Sequence, residues 1–436
     1  MFSPALLVPL ALLAAAPCVA AAAAAPHAAP APEAQRRRLA VFDLVWTEIG
    51  EKYYDPALNG ADWPAVRARY RPLAEEAADD EALHTLLRRM TGELRDAHTR
   101  VMTPEQALAR RRDESASTGV ILFEVEGRPV VFDVRPDTPA AAAGLRPGMA
   151  VLAVNGVPIA EALGRAHADV GPSSSGRAAA VLAYLRLIAG PAGEPLRLDL
   201  ANADGSRRNV VLPRLVRRTA PRFEARRLDS GALYVRFDRI DAPVARLFRA
   251  ALKEHRDAPG LILDLRSNPG GDGREGARVV APLLDRPTLI ARLRTRTGRA
   301  PSALLGLVRL PLELKAGEAG AQLFANPVAI LVNEGTGSTS EVIAAALQER
   351  RRAIVVGARS CGCALGVLRH RRLATGASLA ISEVGLLSGM GRRIEGEGVV
   401  PDVAAAPSLS DLRQGRDAML EAAVAALQRP PRPYGP

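Results

Sequence analysis

Aromatic residues, lysine and long hydrophobic runs are all scarce in this chain. Aromatic residues occupy 4% of the 436 positions, and this shortage, beside abundant alanine and arginine, indicates a GC-rich genome more than any function. No segment after the first 25 residues reaches the roughly 18 consecutive apolar residues that a membrane-spanning helix needs, so we expect no stable membrane span in the mature protein. Lysine occurs only at positions 52, 253 and 315, so most of the chain lacks an amine side chain.

Charge is plentiful but not concentrated. The formal net charge is +11, yet the arginines are scattered and form no basic run that could bind the phosphate backbone of a nucleic acid. We therefore expect a solvated surface and no nucleic-acid partner. With 48% hydrophobic and 24% charged residues over 436 positions, the composition is that of a globular protein with two or three domains.

The first residues, MFSPALLVPLALLAAAPCVAAAAAA, contain an apolar stretch followed by small residues. This pattern predicts a secretory signal peptide over residues 1–25 and hence a periplasmic or secreted protein. No Lys or Arg precedes the apolar stretch, which leaves a membrane-retained N-terminus open. Residues 26–37 are rich in proline and alanine and predict a disordered linker.

Signal removal would leave two cysteines, Cys361 and Cys363, one residue apart in SCGCALG. An exported protein can keep a disulfide between them, and a pair of small buried thiols is the alternative. His370 would add a third zinc ligand, but this spacing matches no standard zinc module. We predict no metal and no other cofactor.

Two regions precede the last and longest one. Between residues 38 and 112, three segments carry apolar residues at spacings of three and four, which predicts an N-terminal helical domain. Residues 115–216 begin and end with hairpin patterns, TGVILFEVEGRPVVFDV and PLRLDLANADGSRRNVVLP. Between these patterns, PDTPAAAAGLRPGMAVLAVNGVPI resembles a PDZ domain, with Met149 in place of the usual aspartate. The resemblance implies binding of extended peptide ends by strand addition; a purely structural β-domain is the alternative.

Strand-like and helix-like runs alternate from residue 218 to 408. The runs are ALYVRFD, VARLFRAALKEH, GLILDLRSNPGG, PVAILVNEG, TSEVIAAALQERRR and AIVVGA. Such alternation predicts an α/β core with a mainly parallel sheet, and residues 409–436 are assigned to a C-terminal helix and tail. The predicted fold class is therefore multidomain α+β, with the chemistry in loops that follow strands.

Two of those loops carry candidate chemistry. Ser338 lies at a strand-to-helix corner, where its hydroxyl is exposed while nearby amides and the positive helix end point to the same place. An ordinary helix cap would place a serine there as well. After the strand LILDL, Gly270 and Gly271 permit the close backbone approach that an oxyanion hole needs, although they also make plain turns.

Together, in this order and within one α/β unit, these loops resemble the C-terminal processing peptidase and tricorn core family of serine proteases. The resemblance includes D-L-R-x-N-x-G-G at 264–271, N-x-G-(T/S)-x-S-(T/A)-S-E at 333–341 and G-V-x-P-D at 398–402. It implies a ClpP/crotonase-like core with Ser338 as nucleophile. It also implies an oxyanion hole formed by Gly270, Gly271 and the Thr339 N–H.

The general base distinguishes two branches of this family. The processing-peptidase branch uses a lysine in F-G-K-G-x-x-Q, but alignment from Glu341 places Cys363 at the lysine position, and no lysine lies in this segment. The tricorn-like branch uses a histidine from the helical region, which implies His98 in GELRDAHTRV. A glutamate just before G-V-x-P-D orients that histidine, which implies Glu395, with Glu397 as the nearest rival.

These features predict an exported serine endopeptidase that cleaves protein or peptide substrates through an acyl-enzyme on Ser338. The PDZ-like domain is the predicted region for presenting those substrates. Three alternatives stay open. His98 could be a helix-capping or buried histidine, and Cys363 could itself be a nucleophile. The chain could also be a catalytically inactive relative that binds peptides or apolar ligands. Ala97 stands where tricorn-like members carry a serine, which puts any relay through that hydroxyl in doubt.

Overall fold

The structure is a computed structural model that describes residues 32–218, 222–300, 302–303, 308–309, 311–320 and 322–428. The predicted signal peptide, residues 1–25, lies outside the described residues, as does the linker up to residue 31. Among the helices of the described residues, none combines the length and the hydrophobicity that crossing a membrane requires.

The first helix begins at Pro32, so residues 32–37, predicted as part of the disordered linker, are helical instead. The physical reason is that this turn makes tertiary contacts. Gln35 Nε2 donates to Glu75 O at 2.9 Å, and Arg38 is only 3% exposed. A segment tied to a neighbouring helix in this way gains enough to offset the conformational entropy that it loses.

Helices dominate the first part of the chain, which we call the helical unit. Its elements are α1 (Pro32–Lys52), α2 (Trp63–Glu75), α3 (Asp80–Gly92), β1 (Arg100–Met102) and α4 (Pro104–Arg112). Asp62, Asp79 and Thr103 cap α2, α3 and α4 by accepting a first-turn N–H, which satisfies donors that a helix otherwise leaves free. A shared apolar core holds α1, α2 and α3 together.

A β-sheet with two long helices forms the middle unit, residues 114–218. Its elements are β2 (Glu114–Ser117), β3 (Val120–Val125), β4 (Arg128–Val134), α5 (Pro139–Ala142), β5 (Ala150–Val154), β6 (Val157–Pro158), α6 (Ile159–Val170), α7 (Gly176–Ile188), β7 (Leu196–Ala201), β8 (Arg207–Leu212) and β9 (Leu215–Arg218). Strands β3 and β4 form the expected hairpin, whose turn at Glu126 and Gly127 has φ values of 52° and 72°. The strand order is β3-β4-β5-β7-β8, and β2 pairs with β9 to close the unit.

The remainder of the described chain forms the core unit. Its strands are β10 (Phe223–Arg227), β11 (Leu233–Phe237), β12 (Leu261–Asp264), β13 (Thr288–Arg294), β14 (Ser302–Ala303), β15 (Val308–Arg309), β16 (Glu313–Ala316), β17 (Val328–Val332), β18 (Ile354–Gly357), β19 (Leu365–Arg372), β20 (Ser378–Ser388) and β21 (Val403–Ala404). Its helices are α8 (Ala242–Glu254), α9 (Gly273–Val280), α10 (Thr339–Glu349), α11 (Leu409–Gln414) and α12 (Ala418–Leu427).

The predicted mainly parallel sheet of the core unit is confirmed. Six strands lie in the order β10-β11-β12-β17-β18-β21, and all pairs are parallel except β10 with β11. Strands β12 and β17 are adjacent and parallel, so their carboxyl ends meet at one edge of the sheet. The glycine turn after β12 and the Ser338 turn after β17 therefore lie next to each other.

A second, antiparallel sheet joins the helical unit to the core unit. Its order is β1-β20-β13-β16, with β19 also paired to β20. Arg100 of β1 lies opposite Ala380 of β20, and the apolar core of α1–α3 also includes Leu379 and Ile381 of β20. The segment that precedes β1, which contains His98, is thus attached directly to the core unit.

Candidate active site

Ser338 occupies a strained corner between β17 and α10. Its φ and ψ are 51° and −122°, a left-handed backbone that a non-glycine residue adopts only when its surroundings impose it. The preceding turn is fixed by Thr336, whose Oγ1 donates to Leu265 O at 2.8 Å, and by Gly337, whose N–H donates to Asn268 O at 3.0 Å. Ser338 is the N-cap residue of α10, and its own N–H donates to the Glu341 carboxylate at 3.0 Å. The structure thus keeps the helix-cap interpretation of this serine alongside the predicted nucleophilic role.

The glycine turn after β12 lies against this corner. Gly270 has a φ of 97°, and a Cβ built on it would come within 2.8 Å of Thr339 N and 2.9 Å of Ser338 Cβ. Both observations require glycine, because any side chain would strain the backbone and collide with the serine turn. The structure thus brings together Ser338, Thr339 and the predicted glycines.

The backbone donors near Ser338 are not equivalent. The Gly270 N–H donates to Asn268 Oδ1 at 2.9 Å, so this amide is already used. Within the described residues, the amides of Gly271 and Thr339 donate to no acceptor. Thr339 Oγ1 donates to Gly271 O at 2.8 Å, which holds these two residues together. Gly270 therefore allows the glycine turn to lie close to the Ser338 corner, while Gly271 and Thr339 carry the free amides.

Glu341 joins the serine turn to the segment that contains both cysteines. Its carboxylate is fully buried and accepts hydrogen bonds from the Ser338 N–H at 3.0 Å, the Ser360 hydroxyl at 2.6 Å and the Gly362 N–H at 2.7 Å. Burial raises the pKa of Glu341, while these donors lower it. In the sequence this residue marked only the start of a helix; in the structure it fixes the backbone of Ser338.

A disulfide joins Cys361 and Cys363 beside Ser338. The Ser338 N–H also donates to Cys363 O at 3.0 Å. Two sulfurs bonded to each other supply neither a thiolate ligand nor a thiolate nucleophile. Of the possibilities that the sequence left open, the disulfide is the one that the structure contains, and the zinc site with His370 and a nucleophilic Cys363 are both excluded in this oxidised form.

His98 lies in a short loop that a buried aspartate organises. Asp96 Oδ1 accepts the His98 N–H at 2.7 Å and lies 3.8 Å from His98 Nδ1. Asp96 Oδ2 accepts the hydroxyls of Thr99 at 2.5 Å and Ser382 at 2.6 Å. Nδ1 of His98 is buried and has no hydrogen-bond partner within the described chain. The aspartate thus holds the loop backbone more tightly than it holds the imidazole.

The environment of His98 favours a neutral imidazole. Its side chain is 24% exposed, yet burial is the largest cause of its lowered pKa, which describes a group in a cleft. The nearby Arg100 lowers the pKa further, and Asp96 opposes both effects. A neutral imidazole is the form that can accept a proton.

His98 and Ser338 are connected through neighbours that they share around the disulfide. Ala97, next to His98, packs against Cys361 and Cys363. The backbone carbonyl of Cys363 in turn accepts a hydrogen bond from the Ser338 N–H. No hydrogen bond joins His98 to Ser338 in the part of the chain that the structure describes. The loop that carries the predicted base and the turn that carries the predicted nucleophile thus both contact the disulfide segment.

Glu395 is buried near this layer but does not bond to His98. It is 7% exposed, and its Oε2 accepts the Ala364 N–H at 2.6 Å. Burial raises the pKa of Glu395 to about 8; the Ser174 hydroxyl and the Ala364 amide oppose that rise, while Asp96 adds to it. The rival Glu397 is exposed. Of the two acids considered from the sequence, only Glu395 is inside the molecule.

Two residues near the base were not found from the sequence. Asp96 had a local signal, since an aspartate two residues before His98 can accept that residue's own amide in an Asx turn. Ser174 had none, because it lies in the middle unit and reaches the His98 loop only through the tertiary structure.

Comparisons with known proteins agree with the motifs in the core unit. Residues 231–405 match peptidase family S41, and residues 34–92 match the tricorn protease C1 domain. The putative tricorn protease homolog 2 of Streptomyces coelicolor is 28% identical over 423 residues, which cover 90% of this chain and 32% of that protein. The chloroplastic C-terminal processing peptidase of Tetradesmus obliquus is 27% identical over 383 residues, which cover 85% and 77%. This chain therefore spans about a third of the length of the tricorn homologue.

The solved structures show the same fold. The photosystem II D1 C-terminal processing protease superposes with a TM-score of 0.59 and 22% identity, over 90% of this chain and 97% of that one. At this identity the likeness concerns the fold. The multidomain α+β class with a mainly parallel core sheet, predicted from the sequence, is thereby confirmed.

Proposed function

We propose that this chain, a member of the C-terminal processing peptidase and tricorn protease family, cleaves peptide bonds through an acyl-enzyme on Ser338. One observation carries the proposal: the strained Ser338 corner places the serine beside the unbonded amides of Gly271 and Thr339. A hydroxyl and two free donors at one place are what acyl transfer requires.

The reaction follows from this arrangement. His98 accepts the Ser338 proton as Oγ attacks the substrate carbonyl carbon, and the amides of Gly271 and Thr339 stabilise the oxyanion. When the C–N bond breaks, the leaving amine takes the proton from His98, and the acyl group stays on Ser338. Water, deprotonated by His98, then hydrolyses the ester and restores Ser338. The missing hydrogen bond between His98 and Ser338 must form when substrate closes the site, as it does in many enzymes whose free form is loose.

The acid that supports His98 is a separate question. Glu395 remains the predicted candidate, but a pKa of about 8 leaves its carboxyl largely protonated near neutral pH. Asp96 is the carboxylate close to the ring, 3.8 Å from Nδ1. A small movement would allow Asp96 to accept the Nδ1 proton, which fixes the tautomer and stabilises the imidazolium.

The substrates that we propose are extended peptide segments, including protein C-termini, in the periplasm or outside the cell. The middle unit supports this view because its small β-sheet has the sequence features of a PDZ domain, which adds peptides as strands. The names of the relatives, C-terminal processing peptidase and tricorn protease homolog, describe proteolysis of this general kind.

Active-site labelling with a fluorophosphonate tests the proposal. Wild type and His167→Ala should label on Ser338 at equal rates, because His167 bonds only to its own helix, at Leu163 O. Ser338→Ala should not label, and His98→Ala should label at least about 100-fold more slowly.

Two results would contradict this assignment. Equal labelling of His98→Ala and wild type would remove His98 as the base. Absence of labelling in folded wild type, together with measurable binding of peptides or apolar ligands, would identify the inactive relative instead.

A further inference from the structure

The turn between α6 and α7 reaches from the middle unit into the candidate active site. Ser174, in this turn, is half-buried. Its Oγ accepts the Ala97 N–H at 3.1 Å, and the same hydroxyl lowers the pKa of the Glu395 carboxyl. One hydroxyl thus holds the backbone beside the predicted base and also acts on the predicted acid.

Neighbouring side chains fasten this turn to the core unit. Ser175 Oγ donates to Cys361 O at 2.5 Å. Arg177 donates from Nε to Ser360 O at 2.7 Å and from Nη2 to Glu397 O at 2.9 Å. Three hydrogen bonds over three residues hold the turn in place, so the position of Ser174 is set from outside the His98 loop.

We propose that Ser174 is a positioning residue, whose hydroxyl fixes the backbone of the His98 loop, and with it the predicted base, from the middle unit. This inference rests on the proposed peptidase function. It also gives the middle unit a part in the catalytic site that is independent of any peptide bound to its sheet.

The chemistry of a hydroxyl suits this role. A serine offers one proton and two lone pairs, so Ser174 can accept from Ala97 and still donate to Glu395. The amide of His98 is held by Asp96 at 2.7 Å, while the preceding amide, that of Ala97, is held by Ser174. Two consecutive amides fixed from different sides define the path of the loop, and hence the point from which the imidazole projects.

Loss of the hydroxyl has two effects. The Ala97 amide loses its acceptor, which frees the loop, and Glu395 loses a donor that lowers its pKa. The other groups that act on Glu395 are the Ala364 amide, which also lowers the pKa, and the carboxylates of Asp96 and Glu341, which raise it. The pKa of Glu395 should therefore rise when Ser174 is replaced by alanine.

The test compares Ser174→Ala with Ser173→Ala. Ser173 is the matched control because it lies in the same turn and its Oγ is buried without a partner. Ser338 labelling rates from pH 5 to pH 9, and kcat and KM on an unfolded protein substrate, are measured for both. Ser174→Ala should lower kcat roughly 10- to 100-fold with KM changed less than about threefold, and should move the alkaline inflection of the rate profile upward. Ser173→Ala should match wild type in both.

Two further variants separate positioning from simple loss of structure. Ser174→Thr keeps the hydroxyl and should restore most of the rate, whereas Ser174→Cys keeps the size but bonds weakly and should not. If Ser174→Ala does not fold, the comparison of these two variants decides. A merely structural role would lower the labelled fraction and leave the rate constant and pH profile of that fraction unchanged.

The inference fails if Ser174→Ala or Ser174→Cys has the rate and pH profile of Ser173→Ala while wild type labels on Ser338. Failure of the proposed function is different, because wild type itself then does not label. The two outcomes are distinguished in one experiment.

Discussion

The Glu341 carboxylate accepts the backbone N–H of Ser338 at 3.0 Å from a fully buried position. Because it also accepts from Ser360, Gly362 and Cys363, all its partners are donors. Glu341→Gln would turn an NH2 group toward one of these donors, which leaves buried groups unpaired at a cost of about 2–4 kcal/mol. We expect a matching loss in the free energy of unfolding, measured in urea, and loss of Ser338 labelling.

Glu349→Gln is the control for this change, since Glu349 lies on the same helix and is half-buried. Its carboxylate accepts the Met390 N–H at 3.2 Å and forms an ion pair with Arg392 at 3.5 Å. This substitution should cost less than about 1 kcal/mol. Equal stability of the two variants would show that Glu341 does not hold the serine turn.

The strand end before the glycine turn depends on a buried ionic cluster. Asp264 is fully buried and accepts from Tyr234 OH at 2.7 Å and from Arg266 Nη2 at 2.6 Å. Arg266 also binds Asp417, at the start of α12, at 2.7 Å. Asp264→Ala leaves the arginine and the tyrosine without this acceptor, so we expect a loss of about 3 kcal/mol in urea denaturation.

Tyr234→Phe removes only one hydrogen bond of that cluster and should cost about 1 kcal/mol. The difference in the free energy of unfolding between the two variants measures what the ion pair between Asp264 and Arg266 contributes. If Asp264→Ala cost no more than Tyr234→Phe, the charge on Asp264 would contribute nothing to the strand end.

The pH dependence of labelling should report the environment of His98. Burial and Arg100 lower the pKa of His98 from the ordinary value of 6.5, so the imidazole stays neutral at pH values somewhat below 6.5. The acidic midpoint of the labelling rate should therefore lie below pH 6.5. Arg100→Gln removes a cation, which favours the protonated ring, so the midpoint should move upward. Asp96→Asn removes an anion, so the midpoint should move downward.

Arg111→Gln, an exposed change on α4, is the control and should leave the midpoint where it is in wild type. Midpoints that move in the same direction for Arg100→Gln and Asp96→Asn would contradict this account.

The elements that are contiguous in the sequence were the predictable ones. The turns after β12 and β17 could be identified because each motif lies in a few consecutive residues, and two adjacent parallel strands bring such turns together. The helical start at Pro32 was missed because a proline- and alanine-rich segment gives no sign of the hydrogen bond from Gln35 to Glu75. Local composition does not report tertiary contacts.

The supports of the base show the same limit. Ser174 is 77 residues from Ala97 in the chain, and no spacing rule connects two units that meet only in the folded protein. The disulfide between Cys361 and Cys363 was one of several predicted possibilities, since two cysteines one residue apart fit thiols or a bond equally well until the backbone is known.

Thiol chemistry gives a prediction about the mechanism. With Cys361 and Cys363 joined, the oxidised protein should incorporate no iodoacetamide at these positions and keep its full labelling rate after iodoacetamide treatment. Mass spectrometry with and without prior reduction measures this, and the reduced, denatured protein supplies the control that both thiols can react. Inactivation of the unreduced enzyme by iodoacetamide would revive Cys363 as the nucleophile.

Glu395 should make stability depend on pH in an unusual direction. Burial raises its pKa from 4.5 to about 8, so the folded state binds this proton more tightly than the unfolded state does. The corresponding stability is fully present below pH 4.5 and is lost as the pH rises through 8. Glu395→Gln cannot ionise, so its free energy of unfolding relative to wild type should increase between pH 5 and pH 9, by up to roughly 4 kcal/mol. Glu397→Gln, an exposed change two residues later, should show no such trend, and a parallel pH dependence for wild type and Glu395→Gln would mean that the carboxyl is ionised in the folded protein throughout.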